Sequence, residues 1–168
     1  VDSFDAITNR AERSRSLFIE AGNVILSPRC LNCHPVGERP TQGKDMHPHG
    51  PLVVRGADDR GAVGMRCRTC HQAANFEPSG VPGNPGWRMA PVGMAWQQRT
   101  LGQICAQIKD TTTNGGRTLA QIQEHLVHDA LVGWSWHPGS SREPAPGSQR
   151  SFGALTAAWI ATGAECPG

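Results

Sequence analysis

The chain has 168 residues, the size of one ordinary domain, with 16 Lys and Arg against 14 Asp and Glu and a formal charge of +2. That near balance, without a dense basic run, excludes a nucleic-acid binder built on charge, and no stretch approaches the ~20 apolar residues of a membrane span. Leu, Ile, Val and Phe fill only 30 positions, whereas Gly and Pro number 20 and 13 and Tyr is absent, so the core is thin and turns are many. Six Cys and seven His show where help can come from, because small domains short of core are completed by disulfides, metals or cofactors.

Residues 5–26 read as a first helix, with Phe18, Ile19, Ala21, Gly22 and Ile25 in its second half and Arg10, Arg13 and Arg15 on a solvated face. Ser27-Pro28 ends it just before Cys30. Residues 35–66 are Gly- and Pro-rich loop apart from an extended candidate, Leu52 to Arg55, and residues 72–95 repeat that character. Loops this long in one domain wrap something or perform a function. Leu101, Ile104, Cys105 and Ile108 form the i, i+3, i+4, i+7 stripe of an amphipathic helix, which the segment from Thr111 stops. Thr118 is placed to cap the next helix, whose stripe is Leu119, Ile122 and Leu126 and which runs to about Asp129. After a Gly/Ser/Pro segment at 137–149, Ser151 is placed to cap a last helix with Phe152, Leu155 and Trp159 on one face and Gly163 at its stop. The fold class expected is mainly α: about four short helices with long Gly/Pro-rich loops, little or no sheet, in a single domain over 1–168.

Two pentapeptides decide the functional reading: Cys30-Leu31-Asn32-Cys33-His34 and Cys67-Arg68-Thr69-Cys70-His71. Both are CxxCH, the c-type haem attachment sequence. Two thiols at that spacing reach the two vinyl groups on one side of a porphyrin as thioethers, and the adjacent His turns its imidazole to the iron. A structural zinc site built from two CxxC pairs needs four ligands and gives no reason for a His after each pair. A thioredoxin-type CxxC is expected once, at a helix N-terminus in a βαβ setting that this chain lacks.

On these residues the sequence resembles the c-type cytochromes. Gly22 in the preceding helix and the C-terminal LTAAWIATGAECP are similar to class I cytochrome c, but only 32 residues separate His34 from Cys67, too few for two such domains in series. The arrangement is closer to compact dihaem proteins such as the small periplasmic dihaem subunit of nitrate reductase, over the segments around DMHPHG and GAVGMRCRTCHQ. The resemblance implies two covalently attached haem c groups, held by Cys30 and Cys33 and by Cys67 and Cys70, with His34 and His71 as proximal iron ligands. The loops would then wrap the haems, and the porphyrins would supply the missing core.

Sixth ligands remain to be assigned among His47, His49, His125, His128 and His137 and the four Met. At 100° per residue His125 flanks the stripe of its helix and His128 points away, so His125 is the preferred ligand of the two; by the dihaem resemblance it pairs with His34, with Met94 as its rival. His47-Pro48-His49 places two imidazoles on a stiffened loop between the motifs, and by the dihaem resemblance His49, or alternatively His47, pairs with His71. Bis-His ligation favours a low reduction potential, and Met on either iron raises it. Of the five Trp, some are expected against the porphyrins, the others in the core.

Cys105 and Cys166 are an even remainder on apolar helix faces. A disulfide between them is expected, consistent with an oxidising compartment; two buried thiols, or Cys105 as a haem ligand, are the alternatives. The chain begins at Val1 without a charged n-region and apolar h-region, and is read as a mature periplasmic or extracytoplasmic protein after signal-peptide removal. The function expected is an electron carrier rather than an enzyme, with the enzyme reading left open, meeting redox proteins transiently, and with self-association left open. Two readings stand beside it: a haem enzyme, peroxidase-like or thiosulfate-oxidising, with one displaceable axial ligand, and an electron-conducting subunit of a cytochrome assembly.

Overall fold

Asn9 sets where the first long helix begins: its side chain accepts from the Glu12 backbone N–H, so α1 spans Arg10–Ile25 rather than starting at residue 5, and Asp2–Phe4 form a separate 3-10 turn. The structure is a computed structural model that describes residues 1–139 and 141–168. It is mainly helical, with α1 followed by α2 (Pro28–Leu31), α3 (Cys67–Cys70), α4 (Leu101–Lys109), α5 (Leu119–His128), α6 (Ala130–Trp134) and α7 (Gln149–Ala161). Among the described residues the three helices beyond the expected four are one turn or little more. α2 carries Cys30 and α3 carries Cys67 and Cys70, and α6 starts directly behind α5 because Asp129 caps it, accepting from Leu131 N and Val132 N.

Thr100 and Thr118 cap α4 and α5 through reciprocal capping boxes with Gln103 and Gln121. The cap of α7 is Ser148, not Ser151; Ser151 is the third residue of that helix and completes the capping box with its own hydroxyl. Leu52 to Arg55 are not a strand. The sheet among the described residues is a two-residue hairpin in which β1 (Thr41–Gln42) pairs antiparallel with β2 (His47–Pro48), Thr41 opposite Pro48 and Gln42 opposite His47. Pro51 has no N–H to give to a ladder, and Arg55 N bonds Glu38 O in an isolated loop contact.

The core lies between α1, α4, α5 and α7. Leu17, Phe18, Ala21 and Ile25 of α1 are buried with Ile104, Cys105 and Ile108 of α4, Ile122 of α5, and Phe152 and Trp159 of α7. Gly22 permits the α1–α4 approach, since a Cβ there would stand 2.8 Å from Leu101 Cδ2. The Phe18 and Trp159 rings sit 4.8 Å apart, and the Ser14 hydroxyl donates to the Trp159 carbonyl. Arg10 is exposed, as expected of a solvated face, and its guanidinium also donates to the Ala161 and Thr162 carbonyls and so satisfies the C-terminus of α7.

Cys105 and Cys166 form a disulfide, with Cα atoms 5.6 Å apart and a sequence separation of 61. A cross-link of that span removes about 4 kcal/mol of loop-closure entropy from the unfolded chain. It also ties the C-terminus to α4, as Lys109 Nζ does by donating to Ala164 O.

Candidate functional site

Each CxxCH segment begins with one helical turn, and each His is then fixed by a distant loop. In the first, Pro28 starts α2 behind Ser27, and the turn continues through Cys33 N to Cys30 O and His34 N to Leu31 O. The chain from Ala90 to Gln97 returns to clamp it: Ala90 N donates to Cys33 O, Trp96 N to His34 O, and Gln97 Nε2 to Leu31 O. The buried Arg55 guanidinium holds this return segment by donating to Ala90 O. His34 Nδ1 lies 2.7 Å from Met94 O, and the His34 ring stacks on Trp96 at 3.6 Å and 13°.

The second segment repeats the arrangement. His71 N closes the α3 turn onto Cys67 O, His71 Nδ1 lies 2.8 Å from Pro82 O, and the ring stacks on Trp87 at 4.3 Å and 5°. Trp87 is braced edge-on by Trp134, whose Nε1 donates to Asn75 Oδ1. Gly83 permits the loop to close, because a Cβ there would run into the Ala74 carbonyl at 1.9 Å. Residues 82–97 therefore supply both carbonyls and both indoles. In each case Nδ1–H donates to the backbone carbonyl, which leaves Nε2 as the lone-pair nitrogen.

Two cavities receive these groups. The first, of about 270 Å³, is lined by Cys30, Cys33 and His34 and faces His125 and Met94. The second, of about 380 Å³, is lined by Cys67, Cys70 and His71 and faces His49 and Met65. Arg29, Cys33, Arg88 and Met89 line both, so the cavities are neighbours with a shared wall. The Cys30, Cys33, Cys67 and Cys70 sulfurs are unpaired thiols, in contrast to Cys105 and Cys166.

The remaining predicted residues separate by geometry. His49 faces the second cavity with its ring centre 5.9 Å from that of His71, the planes inclined at 60°, and its Nδ1 3.1 Å from Pro51 O. Two imidazoles sharing one metal place their ring centres roughly 6 Å apart, for a metal–nitrogen bond of ~2.0 Å and about 1.1 Å from nitrogen to ring centre on each side. His47 stands outside both cavities, exposed and bonded through Nδ1 to Asp45 at 2.6 Å. His125 faces the first cavity, while His128 of the same helix is exposed beside Glu124. Met94 lines the first cavity too, but its backbone is fixed on the His34 side by the carbonyl that holds His34 Nδ1.

The electrostatics suit ligand chemistry better than thiol redox chemistry. Burial pushes the Cys30 thiol up to about 12 and Cys33 up to about 11, with the neighbouring Cys67 adding to the rise at Cys33, and Cys67 is itself raised by burial. A redox-active CxxC needs the opposite shift. Burial also lowers His34 to about 4 and lowers His71, so both imidazoles are neutral and able to donate a lone pair. Among the described residues no group of three or more His, Cys, Asp or Glu stands together; His34 and His125 line the first cavity, and His49 and His71 the second.

The sequence reading passed over Asp129, Arg88 and Arg29. Asp129 Oδ2 lies 3.3 Å from His125 Nδ1 and accepts from Arg88 at 3.0 Å, and the His125 hydrogen bond is the largest cause of its carboxyl standing far below the usual range. The spacing of four residues from His125 on a helix was the available signal. Comparison of the chain with protein-family models, with curated proteins and with solved structures finds no match.

Proposed function

We propose that this chain is a dihaem c-type cytochrome that relays single electrons between redox partners by Fe(III)/Fe(II) cycling. The observation that carries the reading is the duplication: two CxxCH turns, each presenting two thiols and one neutral imidazole to a cavity, each His held by a carbonyl and a Trp. Haem supplies the redox-active iron and a large apolar body when bound. Cys30 and Cys33 would hold one haem as thioethers, and Cys67 and Cys70 the other. His34 with His125, and His71 with His49, would provide the axial nitrogens.

The rest of the chain orients and insulates. Met94 O and Pro82 O fix the tautomer and rotation of the proximal imidazoles, and the stacked Trp96 and Trp87 keep water from their flat faces. Cys33, Arg29, Arg88 and Met89 form the partition that electrons would cross between the sites. Among the described residues no helix is long and apolar enough to cross a membrane, and the Cys105–Cys166 disulfide supports an oxidising, extracytoplasmic setting such as the periplasm. A nearly balanced surface charge suits brief encounters with redox proteins rather than a permanent complex.

Absorption spectra of oxidised and reduced protein, with and without carbon monoxide, test this. The expected result is a c-type α band on reduction and two low-spin irons inert to carbon monoxide. No such band overturns the reading, and rapid carbon monoxide binding at one iron replaces the carrier with a haem enzyme that has a displaceable ligand.

A further inference from the structure

We propose that Asp129 is a positioning residue that holds His125 for the first-motif iron and lowers the reduction potential of that iron through the His125 imidazole. The inference rests on the dihaem reading. Its basis is an asymmetry among the four cavity-facing imidazoles. His34, His71 and His49 each direct Nδ1 at a neutral backbone carbonyl, those of Met94, Pro82 and Pro51. His125 alone among them directs Nδ1 at a carboxylate, Asp129 Oδ2, at 3.3 Å.

Asp129 is itself held firmly. Its Oδ1 accepts from Leu131 N at 2.7 Å and from Val132 N at 3.2 Å, which caps α6, and its Oδ2 accepts from Arg88 at 3.0 Å. The carboxylate is thus bound on both oxygens at the junction of α5 and α6, and the Arg88 that holds it lines both cavities. Such a group does two things for His125. Through the 3.3 Å contact it favours the Nδ1-protonated tautomer, so that Nε2 is the nitrogen available to the cavity, and as a charged acceptor it makes the ring a stronger donor than a neutral carbonyl would. A more electron-rich axial ligand stabilises Fe(III) over Fe(II). Only the iron beside His34 would receive this.

The test uses the haem-loaded protein with Asp129→Asn and Asp129→Ser, both of which keep a side-chain acceptor for the α6 N–H groups. Circular dichroism checks that the helices persist. The haem concerned is identified as the one that turns high-spin in His125→Ala. Expected in both variants are a higher midpoint potential and an altered low-spin electron paramagnetic resonance signal for that haem only, with its carbon monoxide affinity raised roughly 10–100-fold. Two haems present, helices intact and both potentials and signals unchanged would overturn the role of Asp129, as would a shift confined to the other haem. A wild-type protein without two covalent haems overturns the dihaem reading, and this inference with it.

Discussion

The first CxxCH turn is set among helices and the second among loops. Around Cys30, Cys33 and His34 the cavity wall is Phe18 and Ile25 of α1, Ile108 of α4, Ile122 and Leu126 of α5, and Phe152 and Trp159 of α7, much of the apolar core of the protein. Around Cys67, Cys70 and His71 the wall is residues 40–43, 49–51, 53 and 79–82 with Trp87 and Trp134, and Cys70 reaches the surface. The same pentapeptide therefore has two different tasks. At the first site, occupation of the cavity and integrity of the helical body are one problem, because the side chains that line the cavity are those that hold the helices together. At the second, the loops close on themselves through short-range devices, such as Gly83 N to Asn75 Oδ1 and Phe76 paired with Val81, and meet the helices mainly through α6, where Trp134 Nε1 donates to Asn75 Oδ1 and Ala130 O accepts from Asn84 Nδ2.

This contrast breaks most visibly if the attachment cysteines are removed one site at a time. Cys30→Ala with Cys33→Ala is expected to cost a large part of the roughly 5–15 kcal/mol that stabilises a domain of this size. Cys67→Ala with Cys70→Ala should leave far-ultraviolet circular dichroism near that of the wild type and melt only slightly earlier. Equal losses in thermal melts of the two variants would show that the sites are not mechanically distinct.

Cutting the Cys105–Cys166 disulfide by a double Ala substitution comes next in size. It should lower stability by about 4 kcal/mol and the melting temperature by about 10 °C, because it frees the C-terminus from α4. Absorption of the second-motif haem should not change below the transition. A matching disturbance there would mean that the loops lean on the helical body more than their contacts imply.

The smallest effect sharpens the second site. His49→Ala should convert the haem held by Cys67 and Cys70 to high spin and open it to carbon monoxide, whereas His47→Ala, outside the cavity, should shift stability by less than about 0.5 kcal/mol and leave the spectrum unaltered. Reversed outcomes would exchange the two assignments.

Much of the helical half was legible because it obeys simple periodicity. Leu101, Ile104, Cys105 and Ile108, and Leu119, Ile122 and Leu126, fall on one face each, and threonines stand at both caps. The single-turn helices α2 and α3 are too short to show a period, and α6 was hidden because Asp129 ends one helix and caps the next. At the sites, the CxxCH spacing was plain in the sequence, while the supports were not. His34 meets Trp96 and Met94 across some 60 residues, and His71 meets Pro82 and Trp87 inside a stretch that reads only as Gly/Pro loop. Such contacts are set by the path of the chain, which local pattern does not encode.

The central claim, that each CxxCH turn is a covalent haem anchor, is tested most directly by the intact mass of the denatured protein from cells able to attach haem c. The expected mass is that of the 18.0 kDa polypeptide plus two haem groups that survive acid extraction, falling to one in either double-cysteine variant. A denatured mass equal to the bare polypeptide, with all four CxxC thiols open to alkylation, would contradict it.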